Sequence, residues 1–438
     1  MSKGEALYKE PKGKKSLSLK GWPLGQVDVV PLEETPVEAL RDTQNVDLMN
    51  SGRPRTRKGF EQALAGTDVH SIWSDDDRCF YMDSGTLKEL LYNGGVFSSS
   101  DLVTGMDVRA PVRFEKVNDD ILFTNKYTTG RLKQDGTVTE WGIESPAGQP
   151  SLTAVTVGGL DSGLYQVAVV FISDSVEKSG TSVASTVQVV QGGGIDISSI
   201  PQPVSASVTG VEVYVSEANG SVLYKQAAIS VGVTSLSIGS TSTKGGVLDT
   251  QFMAPMPPGD FIGYYNGSTI TAKDKVLCFS EPFRYGLYKY HTNTYVFPDD
   301  ITNVIDVEVG VFATTTEKQY LLRGKTMRDM ELETLADCGA AKYTAIRMPA
   351  EASTESGGRD FVAWLGHRGV CYGLSDGRIK NITQNSVGID KYTKGSTLYR
   401  EYEGIRQVVA LGSGSEQANS LKVTDRLTAQ VRRNGVII

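Results

Sequence analysis

Apolar and polar residues alternate over short runs along most of this chain, and the runs stop at glycine or at Asn-Gly and Asp-Gly pairs. A period of two puts successive side chains on opposite faces of a strand, so the pattern predicts half-buried β-strands joined by tight turns. The turn pairs are Asn93-Gly94, Asp135-Gly136, Asn219-Gly220, Asn266-Gly267, Asp376-Gly377 and Asn434-Gly435, at which type I′ hairpins are expected. Helical spacing is best approached in "PVEALRDTQNVDLM" at 36–49, the nearest candidate for a helix. The expected fold class is mostly β.

One unit recurs outside the middle of the chain: an apolar strand, a polar turn, a second strand, then a turn and a third. It is found at 71–91, 112–141, 261–282, 303–324 and 360–383. Such a meander cannot bury both faces alone, and radial stacking in a β-propeller covers them. Residues 151–250 differ, being rich in Val, Ser, Thr and Gly. There "GLYQVAVVFISD" aligns Tyr165, Val167, Val169 and Phe171 on one face, and "VEVYVS" aligns Val211, Val213 and Val215. This segment predicts an inserted β-sandwich of the immunoglobulin or fibronectin type III kind. The expected organisation is an extended arm at 1–25, a first propeller part at 26–150, the insert at 151–250, and a second propeller part with C-terminal strands at 251–438. "PMPPGD" at 255–260 reads as the return linker.

Composition changes this picture little: apolar residues make up 39% and charged residues 22% of 438, ordinary for a chain that buries cores. The net charge of −7 argues against a protein that coats nucleic acid. The longest apolar run, "VAVVFI" at 167–172, is too short for a membrane-spanning helix, and the lysine-rich start lacks the apolar stretch of a signal peptide. A soluble chain made in the cytosol is expected. Cys79, Cys278, Cys338 and Cys371 lie far apart without metal-ligand spacing, so packed, reduced thiols are expected and no cofactor or metal. Acid pairs at Asp75-Asp76-Asp77, Asp119-Asp120 and Asp299-Asp300 fall where strands turn, which suffices to explain them. "RGKT" at 323–326 lacks the first glycine of a phosphate loop, because Gln319 stands there. No catalytic motif emerges.

The densest positive charge is "NSGRPRTRKGF" at 50–60, with Arg53, Arg55, Arg57 and Lys58. Two readings stay open: a solvated hairpin edge or subunit contact, in which the charges also discourage stray strand pairing, and proximity to DNA.

"LRDTQNVDLMNSGRPRTRKGFEQ" at 40–62 resembles the opening of virion tail proteins of tailed bacteriophages. The "YNG", "FSEPFRYGLY", "FPDDI" and "YLLRG" elements within 257–324 are similar to those of their β-propeller tail hub or nozzle proteins, the DNA stabilisation type of short-tailed phages. The resemblance implies a non-enzymatic virion component made in the host cytoplasm: a ring of copies, expected to be a hexamer, below portal and adaptor. The ring would retain packaged double-stranded DNA and conduct it without sequence specificity. It further implies contacts with other tail proteins or fibres, and a docking arm containing Lys9, Lys12, Lys14 and Lys15. The alternatives are a neck connector, a distal tail component contacting fibres or receptor, and a propeller glycan hydrolase.

Overall fold

The computed structural model describes residues 21–42, 46–49, 52–56, 59, 61–75, 77–173, 177–242, 244–402, 405–415, 427–429 and 436–437. Among them there is no α-helix; short 3-10 turns aside, the regular structure is antiparallel strand, with one parallel pairing near the C-terminus. The mostly β class is therefore as expected, but the helix candidate is not. Within 36–49, Val46–Leu48 is a strand paired with Pro54–Thr56, and Leu40 forms a parallel bridge with Gln26. Leu40, Val46 and Leu48 share a small apolar cluster that the extended backbone brings together, so the apolar spacing is satisfied without a helix.

Five four-stranded antiparallel sheets follow one another as propeller-like blades. The first comprises Val69–Ser74, Cys79–Asp83, Thr86–Asn93 and Val96–Val103; the second Arg113–Val117, Asp120–Thr124, Thr129–Leu132 and Val138–Thr139. The third comprises Phe261–Tyr265, Ser268–Lys273, Val276–Phe279 and Thr294–Val296. Ile301–Val307, Gly310–Thr315, Gln319–Arg323 and Glu331–Ala336 form the fourth, and Ile346–Met348, Phe361–Gly366, Gly369–Gly373 and Ile379–Asn381 the fifth. Each recurring sequence unit lies in a different sheet.

Consecutive blades face each other through apolar side chains, which is how meanders cover both of their faces. Phe80 and Leu87 meet Phe114 and Phe123; Leu122 meets Ile262 and Cys278; Ile270 and Leu277 meet Val311 and Leu322. Phe312 and Leu321 meet Trp364 and Cys371. The fifth blade packs Phe361 and Tyr372 against Tyr392 and Val408 of a long hairpin, Tyr392–Tyr402 with Ile405–Ser415.

Between the second and third blades lies a two-sheet β-sandwich. One sheet orders Ser151–Leu160, Gly193–Ser198 and Leu236–Ile238; the other orders Lys178–Thr181, Gly163–Ser173, Val208–Ser216 and Leu223–Ser230, with Ser185–Val189 also on Gly163–Ser173. Tyr165, Val167, Val169, Phe171, Val211, Val213 and Val215 all enter its core. The Tyr165 hydroxyl donates to the Asp161 carbonyl at 3.0 Å, a contact of the tyrosine-corner kind found in immunoglobulin-like sandwiches. The opposite face of Val208–Ser216 is buried too, under Leu223 and Leu248. There Glu212 accepts from the Tyr214 hydroxyl at 2.6 Å and pairs with Lys178 and Lys225.

Both legs of the insert converge on Gly286. The Met256 N–H donates to the Gly286 carbonyl at 2.9 Å. Gly142, at φ 85°, approaches so closely that an added Cβ would lie 2.3 Å from that same oxygen, so only glycine fits there.

Turn chemistry departs from a uniform type I′ expectation. Asn266-Gly267 has positive φ at both positions, 42° and 87°. After Thr86–Asn93, however, the left-handed residues are Gly94 and Gly95, one step further on. At Asp135-Gly136 and Asp376-Gly377 only the glycine is left-handed. In both, the aspartate Oδ1 accepts from the N–H two residues on, at 2.9 and 3.0 Å, which favours a type I turn followed by a glycine bulge. At Asn219-Gly220 only Asn219 is left-handed, and Asn434-Gly435 lies outside the described residues.

Candidate functional site at the propeller axis

The first strands of the blades surround the axis, and three of them are joined by charge. Arg347, on the first strand of the fifth blade, reaches Glu115 of the second at 3.2 Å and donates to Asp306 of the fourth at 3.0 Å. The second and fifth blades are not neighbours in the ring of sheets, so the Arg347–Glu115 pair runs across the axis.

A second group lies beside it. Asp260, only 3% exposed, pairs with Lys342 at 2.8 Å and accepts from the Tyr343 hydroxyl at 3.0 Å. Arg113, on the same strand as Glu115, donates to the Tyr343 carbonyl at 3.0 Å and stacks over its ring. Tyr343 itself has φ 71°, a strained left-handed conformation for a bulky residue. Asn303 holds the neighbouring connection, donating to the Ala341 carbonyl and accepting from the Thr344 and Ala345 N–H groups.

Burial pushes the Glu115 carboxyl up to about 7, and Asp306 adds to that push against the opposing pull of Arg347. Burial alone would lower Arg347, but Asp306 and Glu115 more than offset it and hold it above its usual range. A carboxyl raised in the folded state binds extra protons there, so its contribution to stability falls as pH rises from 4.5 towards 7. Glu115→Gln is accordingly expected to be more stable than wild type at pH 8, by about 1–3 kcal/mol, with the difference closing near pH 5. Urea titrations at both pH values check this; an equal difference at the two would contradict the assignment.

A raised glutamate beside a second carboxyl group is the pattern of a glycosidase. Here Arg347 contacts both acids, so the pair is engaged by one guanidinium. Of the acids singled out in the sequence, Asp75 accepts from the N–H groups of Asp77 and Arg78, and Asp120 accepts from Arg131 at 2.7 Å; Asp76 lies outside the described residues. Among the described residues no cluster of three or more His, Cys, Asp or Glu is arranged to hold a metal, and no helix is long and apolar enough to cross a membrane.

The basic cluster is only partly within reach. Arg53 is exposed and Arg55 half-buried on the Pro54–Thr56 strand; Arg57 and Lys58 lie outside the described residues, as do Lys9, Lys12, Lys14 and Lys15. The hairpin is anchored through Asp47, opposite Arg55, which pairs with Arg400 of the long C-terminal hairpin at 3.5 Å. Gly52 supports it from behind: its carbonyl accepts from Trp22, and its φ of 76° suits glycine. Sequence reading found the hairpin but missed the axial group. Asp260 lies in the Pro-rich stretch read as a linker, and nothing local marks it as buried.

No protein-family profile and no curated protein sequence matches the chain. The chain is distantly similar to several solved structures. BBS1N in complex with ARL6DN is 10% identical with a TM-score of 0.31, over 82% of this chain and 93% of that one. The N-terminal domain of Nup159 is 11% identical with a TM-score of 0.28, over 89% and 91%. Sqt1 of Saccharomyces cerevisiae is 10% identical with a TM-score of 0.22, over 66% and 78%.

Proposed function

We propose that the chain is a structural protein of a tailed-phage virion, one copy in a tail hub or nozzle ring below portal and adaptor. The ring retains packaged DNA and forms part of the path for its ejection. The motifs at 40–62 and 257–324 favour the virion role, and the axial cluster favours a ring. Arg347 ties the first strand of the fifth blade to those of the second and fourth, which suits a conduit between copies better than one through a single propeller. The net charge of −7 suits a wall past which DNA must slide, because dense Lys and Arg contacts would grip the phosphates. Arg53, exposed on a hairpin anchored by an ion pair, suits a contact between subunits. The other assignments, a neck connector or a distal tail component, retain the virion role at a different position.

Quantitative mass spectrometry of purified particles tests the reading by counting this chain against the portal protein. A ratio of roughly one copy to two portal subunits is expected for a six-fold ring below a twelve-fold portal. A different ratio would move the chain elsewhere in the tail, and its absence from particles would overturn the virion role.

A further inference from the structure

We infer that the cleft between the insert's return leg and the third blade binds a neutral carbohydrate chain. The cleft has a volume of about 590 Å³ and is lined by residues including Asp249, Gln251, Phe252, Lys289, His291 and Arg328. That volume lies in the range of about 300–1,000 Å³ typical of ligand sites. This inference is independent of where the chain sits in a particle.

The conformation of Phe252 points to a ligand. The Met253 N–H donates to the Thr250 carbonyl at 3.3 Å, placing Gln251 and Phe252 at the centre of a turn. Phe252 has φ 59°, at a position where glycine or asparagine is favoured. Burial does not compensate the strain, because Phe252 is 61% exposed. Its ring instead meets His291 edge-on at 5.6 Å, and His291 meets Tyr290 edge-on at 5.5 Å. A strained backbone that holds an aromatic ring out in solvent, within a cleft, is explained by a ligand that uses the ring.

The polar lining selects the ligand class. Lys289 and Arg328 both pair with Glu281, at 3.6 and 2.7 Å, and Asp249 pairs with Arg284. Each of these positive charges is thus already engaged by a carboxylate of the protein, although Lys289 and Arg328 share one, and this engagement weakens their pull on phosphate or another strongly anionic ligand. Gln251 makes no hydrogen bond within the described residues and offers both a donor and an acceptor. A sugar matches this combination: its C–H face packs on an aromatic ring, and its hydroxyls both donate and accept.

Saturation-transfer NMR on the full chain with maltohexaose, cellohexaose and chitohexaose tests the inference. Transfer to at least one of them is expected. Phe252→Gly should weaken that sugar by roughly tenfold or more while leaving the unfolding midpoint unchanged or higher, because glycine relieves the turn. Gln251→Ala should weaken it less. No transfer to any of the three, undiminished binding by Phe252→Gly, or displacement of the sugar by inorganic pyrophosphate would each overturn it.

Discussion

Asp260→Ala is expected to destabilise the propeller by about 3–5 kcal/mol, the range for removing one partner of a buried ion pair. The carboxylate is 3% exposed and is held by Lys342 and by the Tyr343 hydroxyl. Its removal leaves an ammonium beside Phe261 and Tyr343, a half-buried hydroxyl without its acceptor, and Arg113 without a nearby countercharge. Asp260→Asn keeps an acceptor for Tyr343 and should cost less. The readout is intrinsic tryptophan fluorescence in guanidinium, because Trp22, Trp73, Trp141 and Trp364 all lie outside the sandwich. A loss below about 1 kcal/mol for the alanine variant would mean that Lys342 and Arg113 are solvated enough to need no partner.

Trp364→Ala is expected to have a comparable effect, about 3–5 kcal/mol, by a different route. Trp364 is fully buried between the fourth and fifth blades, with its ring centroid 5.3 Å from that of Phe312. Gly373 lets the ring lie against backbone, since an added Cβ there would come within 2.6 Å of it. The indole N–H donates to Gln319, itself 1% exposed, at 3.2 Å. Alanine therefore opens a cavity and removes a donor from a buried amide at once. Trp364→Phe fills most of the space but still lacks the donor, so it should recover more than half of the loss. The three remaining tryptophans report the transition; a midpoint shift confined to the circular-dichroism signal of the sandwich would contradict the assignment.

These two residues mark where sequence was informative and where it was not. Trp364 stands in "FVAWLG", an apolar run bounded by turn residues, and such a run is legible as a buried strand without knowledge of its neighbours. The same holds for the five recurring units, because strand alternation and turn residues are local properties. Asp260 stands in "PMPPGD", where proline and glycine read as a solvated connection. Its partners are 82 and 83 residues away, and Arg347 meets Glu115 across 232. A charge is normally assigned to solvent unless its partner is visible, and separations of this size hide the partner from any local window. The 36–49 segment failed in the opposite direction. Its apolar spacing was real, but the turns at 36–42 and the bridge at Leu40 satisfied it with extended chain. The turn types were partly misread because an Asp side chain stabilises a type I turn as readily as Asp-Gly suggests a primed one.

The meeting of both insert legs at the Gly286 carbonyl has a consequence for how such a chain can diversify. Whatever module occupies that position need only present neighbouring termini, and the cost of closing the connection depends weakly on its length. The propeller therefore has the geometry of a chassis with a socket, whose seam is set by Gly142, Met256 and Gly286 rather than by the module that fills it.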